Sequence, residues 1–186
     1  VAITVAEVNR PPQITSDGGG ETADLAVPER QTAVTTVMAV DPDVPLQAIE
    51  LAITGGADRD LFRLDGSTGL LSFRAVPDFE VPGDADADGV YEVSIQAADG
   101  AGGICTQALR VTVTDVLEHM IAFTAGVGGR LVGDVLQEVV AGADATPVTA
   151  VAEAHWSFRQ WLLDGAPYAT ANPLTVTQPA CSMALT

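Results

Sequence analysis

The stretch "VYEVSIQAADG" (residues 90–100) alternates between apolar and polar side chains. The apolar ones fall on every second position and the polar ones between them: Tyr91, Val93, Ile95 and Ala97 against Glu92, Ser94 and Gln96. Successive side chains of a β-strand point to opposite faces, so this period of two predicts a strand with one buried face. The Asp-Gly pair at its end is a turn signal.

The same alternation recurs along the chain. It is clearest in "LRVTVTDV" (109–116), and runs rich in β-branched residues stand at 34–40, 46–54, 69–76 and 174–178. Turn residues, among them 18 glycines and 11 prolines, separate these runs. No stretch shows a convincing amphipathic helical period. We therefore predict an all-β fold, with the strand count of a β-sandwich in the first half.

Acidic residues dominate the charge of this chain of 186 residues. There are 25 acidic and 8 basic residues, and the net charge is −17. Residues 1–119 hold 20 of the acidic and 6 of the basic residues, which predicts two domains with the charge concentrated in the first. Such a surface repels nucleic acid and anionic membranes, and no apolar run is long enough to span a membrane. A soluble acidic protein, a high-salt habitat and metal binding all stay open.

Three aspartates precede the opening strand. Asp84, Asp86, Asp88 and Gly89 copy the first half of a calcium-binding loop, with oxygens at positions 1, 3 and 5 and glycine at position 6. Position 12, where a bidentate glutamate belongs, is Ile95. This difference and the flanking strands argue against a helix–loop–helix site. Either a calcium-ordered loop or a solvated acidic turn explains the run.

Two similar segments of the sequence define the extent of the first domain. The stretches "ITVAEVNRPP" (3–12) and "VTVTDVLEHM" (111–120) share the order strand, acid, valine, polar residue. Glu7 and Asp115 occupy the same place in the two stretches. We therefore predict that residues 1–10 are a strand and linker from a preceding unit, and that one whole unit occupies residues 11–118.

Residues 9–118 resemble a bacterial cadherin-like repeat. Six motifs stand in family order: "NRPPQIT", "VPER", "AVDPD", "DRDLFRLDGSTGLLSF", "PDFEVPGDADADGVYEVSIQAADGAGG" and "VTVTDVLEH". The resemblance implies a cadherin-like, immunoglobulin-like Greek-key β-sandwich. It also implies an extracellular location and a structural or adhesive role.

The same resemblance implies that calcium binds at the junctions with neighbouring units. The implied ligands of the first junction are Glu7, Asn9, Asp41, Asp43 and Asp99. Those of the second junction are Glu29, Asp65, Asp115 and Glu118. The sequence departs from the family at Ser67, where glutamate is usual, and at Leu117 and His119, where asparagines are frequent. The second ligand set is therefore the weaker one.

Residues 119–186 resemble a divergent internalin-type B-repeat, a small β domain. The resemblance rests on the Gly-Gly turn at 128–129, the runs "VVAG" and "TPVTAVAEA", three aromatic residues and "NPLTVT". We expect the aromatic residues, Trp156, Phe158 and Trp161, to fill a small core. The alternative is that the tryptophans form an exposed platform on which sugars stack.

No catalytic constellation is found, and we expect no enzymatic activity. His119 and His155 lack spaced partners for zinc, and there is neither a nucleophile elbow nor a phosphate loop. Cys105 and Cys181 fit one disulfide of an exported protein or two small buried thiols.

We therefore expect a calcium-stabilised structural or adhesive module of a bacterial surface protein, located outside the cell. Its expected partners are neighbouring domains, copies of itself, or a cell-surface protein or glycan. Two alternatives stay open. In the first, the chain is a subunit of a self-assembling filament or sheath, and residues 1–8 complete a sheet in the next copy. In the second, it is an accessory carbohydrate-binding region of a secreted enzyme.

Overall fold

A computed structural model describes residues 8–45 and 47–186. The chain divides into two compact units, residues 1–115 and Val116–Thr186. Glu7 and the strand predicted for residues 1–8 lie outside the described residues, apart from Val8. The predicted boundaries at residues 10 and 118 stay predictions.

The first unit is built from two facing β-sheets and a short strand pair. Its strands are β1 (Gln13–Ile14), β2 (Thr22–Pro28), β3 (Ala33–Thr36), β4 (Ala39–Val40), β5 (Glu50–Gly55), β6 (Phe62–Leu64), β7 (Leu70–Phe73), β8 (Val90–Ala98) and β9 (Ile104–Thr114). One sheet has the order β2-β9-β8-β5, the other β3-β7-β6, and β1 pairs with β4. Strands β2 and β9 are parallel, and the other pairs are antiparallel. The predicted all-β sandwich is confirmed.

The apolar positions of the opening stretch form the centre of the first core. Tyr91, Val93, Ile95 and Ala97 on β8 are at most 3% exposed, as the period of two predicts. Three core positions on the neighbouring strand β9 are buried on the same face: Leu109, Val111 and Val113. The rings of Phe62 and Phe73 stack with centroids 4.7 Å apart, and Tyr91 meets Phe73 edge-on at 5.0 Å. Burial of these side chains supplies the main driving force for folding of the unit.

Two of the predicted strands differ from the structure. The run at 34–40 is broken between β3 and β4, where Val37 donates its N–H to the Gly69 carbonyl at 2.8 Å. The run at 174–178 forms only an isolated bridge between Leu174 and Val148. Leu174 and Val176 are buried, so the alternation of apolar and polar residues in this run indicates which side chains are buried and does not indicate a strand. The backbone there bonds to the loop at 145–148 and not to a strand ladder.

The second unit is a small β domain with its own core. Its strands are β10 (Glu118–Phe123), β11 (Gly129–Val132), β12 (Leu136–Val140), β13 (Thr149–Ala152), β14 (Trp161–Leu163), β15 (Ala166–Ala169) and β16 (Met183–Leu185). They form a sheet of order β12-β10-β16-β14-β15 and a pair β11-β13. Trp161 is 1% exposed at the centre of the core and Phe158 packs against it, as predicted. Trp156 is 58% exposed, so the prediction that it fills the core is wrong.

Both cysteines are free thiols in the structure, which does not contain the disulfide that was one of the two open alternatives. Cys105 is partly exposed and Cys181 is exposed, so the alternative of two buried thiols is wrong. Across the described residues, no helix has the length and apolar character needed to cross a membrane.

Candidate metal sites

The described ligands predicted for the first junction meet in one hydrogen-bonded network. Asp41 and Asp43 lie in the loop after β4, Asp99 lies in the turn between β8 and β9, and Asn9 precedes β1. These four residues are termed the N-terminal junction cluster. The three aspartates are 8%, 4% and 5% exposed, respectively. Withdrawing carboxylates from water is unfavourable unless each gains compensating partners.

Arg10 compensates the charge of Asp43. Its Nε donates to Asp43 Oδ1 at 2.8 Å, and its backbone N–H donates to Oδ2 at 2.8 Å. The guanidinium also donates to the carbonyl oxygen of Pro42 at 2.6 Å. The Asp43 side chain is 5% exposed and that of Arg10 55% exposed, so the anion faces inward and the cation faces solvent. Arg10 thus holds a fixed positive charge beside a predicted calcium ligand.

Asp99 is held by its own turn and by Asn9. The side-chain amide of Asn9 donates to Oδ2 at 2.9 Å, and the N–H groups of Ala101 and Gly103 donate to Oδ1 at 2.8 and 2.9 Å. Gln47 donates to Asn9 Oδ1 at 2.7 Å and more weakly to Asp43 at 3.4 Å. Gln47 therefore connects the Asp99 side of the cluster to the Asp43 side.

One oxygen of Asp41 has no partner. Oδ1 accepts the N–H of Asp43 at 2.8 Å, whereas Oδ2 is buried and, among the described residues, has no hydrogen-bond partner. A buried carboxylate oxygen without a partner loses the hydration that it has in the unfolded chain. A hard cation that prefers oxygen ligands would supply the missing interaction. The donors of the cluster, which are carboxylate and amide oxygens, fit calcium.

The pKa values of Asp43 and Asp99 are both lowered. For Asp43, the N–H of Arg10 is the largest cause, and with the guanidinium it outweighs burial and repulsion by Asp99. For Asp99, burial opposes ionisation, but the hydrogen bonds from Asn9 and from its own turn outweigh it. Both carboxyls are therefore ionised at neutral pH, as calcium ligation requires.

Asp84, Asp86 and Asp88 form a second group, termed the acidic loop. Their carboxylates offer ligand atoms that lie within 4.8 Å of one another. Asp84 is buried and accepts the N–H groups of Asp88 and Gly89 at 2.9 and 3.3 Å. Gly89 has φ +77°, a conformation that glycine adopts without strain, and it closes the turn. The loop is thus ordered by its own backbone, and both predicted interpretations of it stay open.

The carboxyls of the acidic loop affect one another's ionisation. Burial opposes ionisation of Asp84, but hydrogen bonds from the loop backbone and from the Asp86 carboxyl prevail and lower the pKa of Asp84. The pKa of Asp86 is raised, because of its hydrogen bond to Asp84 and because Asp88 repels its charge. A bound cation would relieve the repulsion between these carboxylates.

A third group, termed the C-terminal cluster, comprises Glu29, Glu80 and Asp115 of the first unit. Their carboxylate oxygens lie within 4.8 Å of one another. Glu29 follows β2 and is 5% exposed, and its Oε2 accepts the N–H of Phe79 at 3.0 Å. Asp115 follows β9 directly and is exposed. The structure therefore brings together two residues predicted for the second junction, and it adds Glu80.

Asp65 does not join the C-terminal cluster. Its carboxylate accepts the hydroxyl and the N–H of Ser67 at 2.6 and 2.9 Å and the N–H of Thr68 at 3.2 Å. These bonds lower the pKa of Asp65 and close the turn between β6 and β7. All three bonds engage Oδ1, and the part of Asp65 in a metal site stays a prediction. Glu118 lies at the start of β10 in the second unit, and its part in a metal site stays a prediction.

Sequence reasoning missed four residues of these groups: Arg10, Gln47, Asp58 and Glu80. Asp58 accepts the N–H groups of Ala85 and Glu92 at 2.7 and 2.8 Å, and so ties the acidic loop to β8. Glu80 lies within a motif of the family resemblance, and its carboxylate was the available signal. The bonds of Arg10 to Asp43, of Gln47 to Asn9 and of Asp58 to Ala85 each span at least 27 positions of the chain, and no local pattern indicates them.

Acid is expected to destabilise the calcium-free chain through the N-terminal junction cluster. Folding lowers the pKa of Asp43 and Asp99 from 3.8, so their contribution is present above that pH and is lost as the pH falls through the lowered values. Asp86 acts in the opposite direction, because its raised pKa favours folding at low pH. Urea denaturation at a series of pH values measures the free energy of unfolding, which contains the contributions of all three residues.

The matched variant for this acid titration is Asn9→Ala. It removes the side-chain hydrogen bond to Asp99, so the loss of stability below pH 3.8 should become smaller. Equal acid sensitivity in the variant and the parent chain would contradict the assignment.

Comparisons with known proteins agree with this description of the first unit. Residues 24–114, just under half of the chain, match the family model of the cadherin domain. The match lies within the first unit and supports a cadherin-like domain there. No curated protein matches the sequence significantly.

Among solved structures, the chain is similar to EC1-3 of mouse clustered PcdhgC3, with 25% identity over 58% of this chain and 35% of that one (TM-score 0.43). It is also similar to EC22-24 of mouse cadherin-23, with 17% identity over 94% of this chain and 56% of that one (TM-score 0.49). The third cadherin domain of human protocadherin 7 is 18% identical over 62% of this chain and 95% of that one (TM-score 0.45). The chain thus spans about a third of the first structure and just over half of the second.

Proposed function

We propose that this chain is a non-enzymatic extracellular module with a structural or adhesive role, and that calcium binding at the N-terminal junction cluster stabilises it. The unpartnered Oδ2 of buried Asp41 is the observation that carries the proposal. The cadherin family match supports the class of module. The resemblance of the six motifs to bacterial repeats supports a bacterial surface protein as its source.

The charge balance of the cluster favours a dication. Asp41, Asp43 and Asp99 are nearly buried, and in the described structure Arg10 is the cation that pairs with one of them. A calcium ion requires six to eight oxygens. Three carboxylates and the Asn9 carbonyl oxygen supply at least four of them. Glu7, in the linker before Asn9, is the proposed further protein ligand.

The functional consequence is a stiffer junction. Asn9 belongs to the incoming chain, whereas Asp41, Asp43 and Asp99 belong to loops of the sandwich. A cation bound to both parts fixes the incoming chain on the domain and restricts the angle at which a preceding unit can attach. Neighbouring domains, or copies of the chain, are the partners that such a junction would orient.

The other two clusters are proposed as weaker sites. The acidic loop satisfies its oxygens from its own backbone, so calcium there would mainly relieve the repulsion among its three carboxylates. The C-terminal cluster offers the carboxylates of Glu29, Glu80 and Asp115.

Isothermal titration with calcium at pH 7 and low salt tests the proposal. The background variant carries Glu80→Gln and Asp86→Asn, which weakens the other two clusters and leaves the N-terminal one intact. In this background, Asp41→Asn is expected to weaken calcium binding at least tenfold. Arg10→Gln should strengthen it, because a competing positive charge is removed.

The matched control is Asp60→Asn. Asp60 has a 93% exposed side chain outside the three clusters, so its neutralisation should leave calcium binding unchanged within about twofold. Absence of calcium binding in the background variant, or equal binding by its Asp41→Asn derivative, would refute the proposed site.

A further inference from the structure

The second unit contains a cavity that the proposed calcium function does not use. Its volume is about 360 Å³, which lies within the range of small-molecule sites. It opens between the β11-β13 pair and β14. The residues that give it chemical character are Gly128, Arg130, Trp156, Phe158 and Arg159.

Trp156 is exposed, and its indole packs beside Gly128. The N–H of Glu153 donates to the Gly128 carbonyl at 2.9 Å, and the N–H of Trp156 donates to the Glu153 carbonyl at 3.0 Å. The indole lies so close to Gly128 that an added Cβ there would be 2.2 Å from Trp156 Cδ2. His155, the preceding residue, adopts a left-handed φ of +72°, which non-glycine residues rarely do. The turn therefore presents a large aromatic surface to solvent, with the indole packed beside Gly128.

Two unpaired arginines border the same cavity. Arg130 and Arg159 are the only lysine or arginine residues between 120 and 186, and both line it. Over residues 8–45 and 47–186, neither guanidinium has an ion-pair or hydrogen-bond partner. The chain has 25 acidic and 8 basic residues, so carboxylates that could pair with these arginines are abundant. Two free planar donors beside one aromatic ring therefore provide a local site for a carboxylate.

We propose that this cavity binds sugars that carry a carboxylate, such as hexuronates or sialic acid. The apolar face of a sugar ring packs on the indole of Trp156, and the carboxylate accepts hydrogen bonds from Arg130 or Arg159. The cavity has room for a ligand of one or two rings. The net charge of the chain opposes a highly charged polyanion, so the ligand carries few charges for its size.

The observations favour a sugar over an acidic peptide. A peptide strand would need free backbone groups along the cavity wall. Strands β11 and β13 pair with each other from Gly129–Ala152 to Val132–Thr149, which engages the backbone groups that face each other and leaves the outer edges of the pair open. A sugar is favoured because an aromatic face and guanidinium groups lie together in the cavity, and these match the face of a sugar ring and its carboxylate.

The test is isothermal titration of the full chain in calcium-free buffer, since calcium would itself bind uronates. The probes are the monosaccharide galacturonic acid and 3′-sialyllactose, each with a single carboxylate, and lactose is the neutral control. Saturable binding is expected for at least one acidic probe, and binding of lactose at least tenfold weaker. Trp156→Ala should abolish binding, and Arg130→Gln or Arg159→Gln should reduce it at least tenfold. Arg110→Gln, which alters an exposed arginine of the first unit, should have no effect.

Three results would overturn the proposal. They are no binding of either acidic probe at about 10 mM, equal binding of lactose, and binding of an acidic tripeptide as tight as that of the sugars. Because the arginines and Trp156 are exposed, the variants should have the same melting temperature as the parent chain. Thermal denaturation of each variant checks that it is folded. The result is independent of the calcium proposal, whose residues lie in the first unit or its linkers.

Discussion

Calcium at about one hundred times its dissociation constant is expected to raise the melting temperature of the first unit by about 10–20 °C. A ligand at that excess adds about 2.7 kcal/mol to the free energy of unfolding when it binds only the native state. For a domain of this size, about 1 kcal/mol shifts the melting temperature by 4–8 °C. Differential scanning calorimetry in calcium and in EDTA, at low salt, measures the shift.

The variants and ions for this measurement follow from the cluster. Asp41→Asn combined with Asp43→Asn should remove most of the shift, and Asp60→Asn should retain it. Magnesium should give a smaller shift, because it demands an octahedral site and loses its waters reluctantly. High salt is avoided, since it would screen carboxylate repulsion in the EDTA sample as well. Identical melting curves in calcium and EDTA would contradict the proposed stabilisation.

Phe62→Ala is expected to destabilise the first unit by about 3–5 kcal/mol. Phe62 is 0% exposed, stacks on Phe73 and approaches Tyr91 with ring centroids 6.4 Å apart. Its truncation leaves a cavity that the two sheets cannot collapse to fill. The expected loss is a large part of the about 5–15 kcal/mol of a typical domain, so partial unfolding at room temperature is expected.

The matched control is Phe79→Ala. Phe79 is 44% exposed, and the N–H that it donates to Glu29 is retained in alanine. Its truncation should lower the free energy of unfolding by no more than about 1 kcal/mol. Urea denaturation of both variants measures their free energies of unfolding. Equal decreases for the two variants would show that the aromatic group of Phe62 is not central to the core.

The strands could be predicted because their causes are local. The period of two in β8 and β9 follows directly from burial of one face, and Tyr91, Val93 and Ile95 are buried as expected. The run at 174–178 has the same alternating pattern, but it does not form the ladder of hydrogen bonds that defines a strand. Its backbone partners are set by the loop at 145–148, and no local feature of either segment indicates that pairing.

The ligands of the first junction were predicted by family motifs, whereas their charge balance was not. The motifs identify Asn9, Asp41, Asp43 and Asp99, and these residues share one network. The ion pair of Arg10 with Asp43 depends on how the incoming chain crosses a loop 33 positions away. Such a contact is set by the tertiary path and not by the spacing of residues.

Two other site residues show how one residue type serves alternative purposes. Asp65 was predicted as a ligand, which stays a prediction, and the structure adds that a neighbouring hydroxyl and two N–H groups bind its Oδ1. Trp156 was predicted as a core residue, but the short turn at 153–156 holds it at the surface. Sequence indicates that an aspartate or an aromatic residue is present, while its local turn decides whether it is available.

The parallel pairing of β2 with β9 has a mechanical consequence. Seven residue pairs join the strands, from Thr22 with Ala108 to Pro28 with Thr114. The incoming chain is anchored near the start of β9, through Asn9 on Asp99, and the outgoing chain leaves at its other end. Tension between the two ends therefore pulls β2 and β9 in opposite directions along their length. Their hydrogen bonds carry that load together in shear, and rupture must break them as a group, so the first unit resists stretching along this direction.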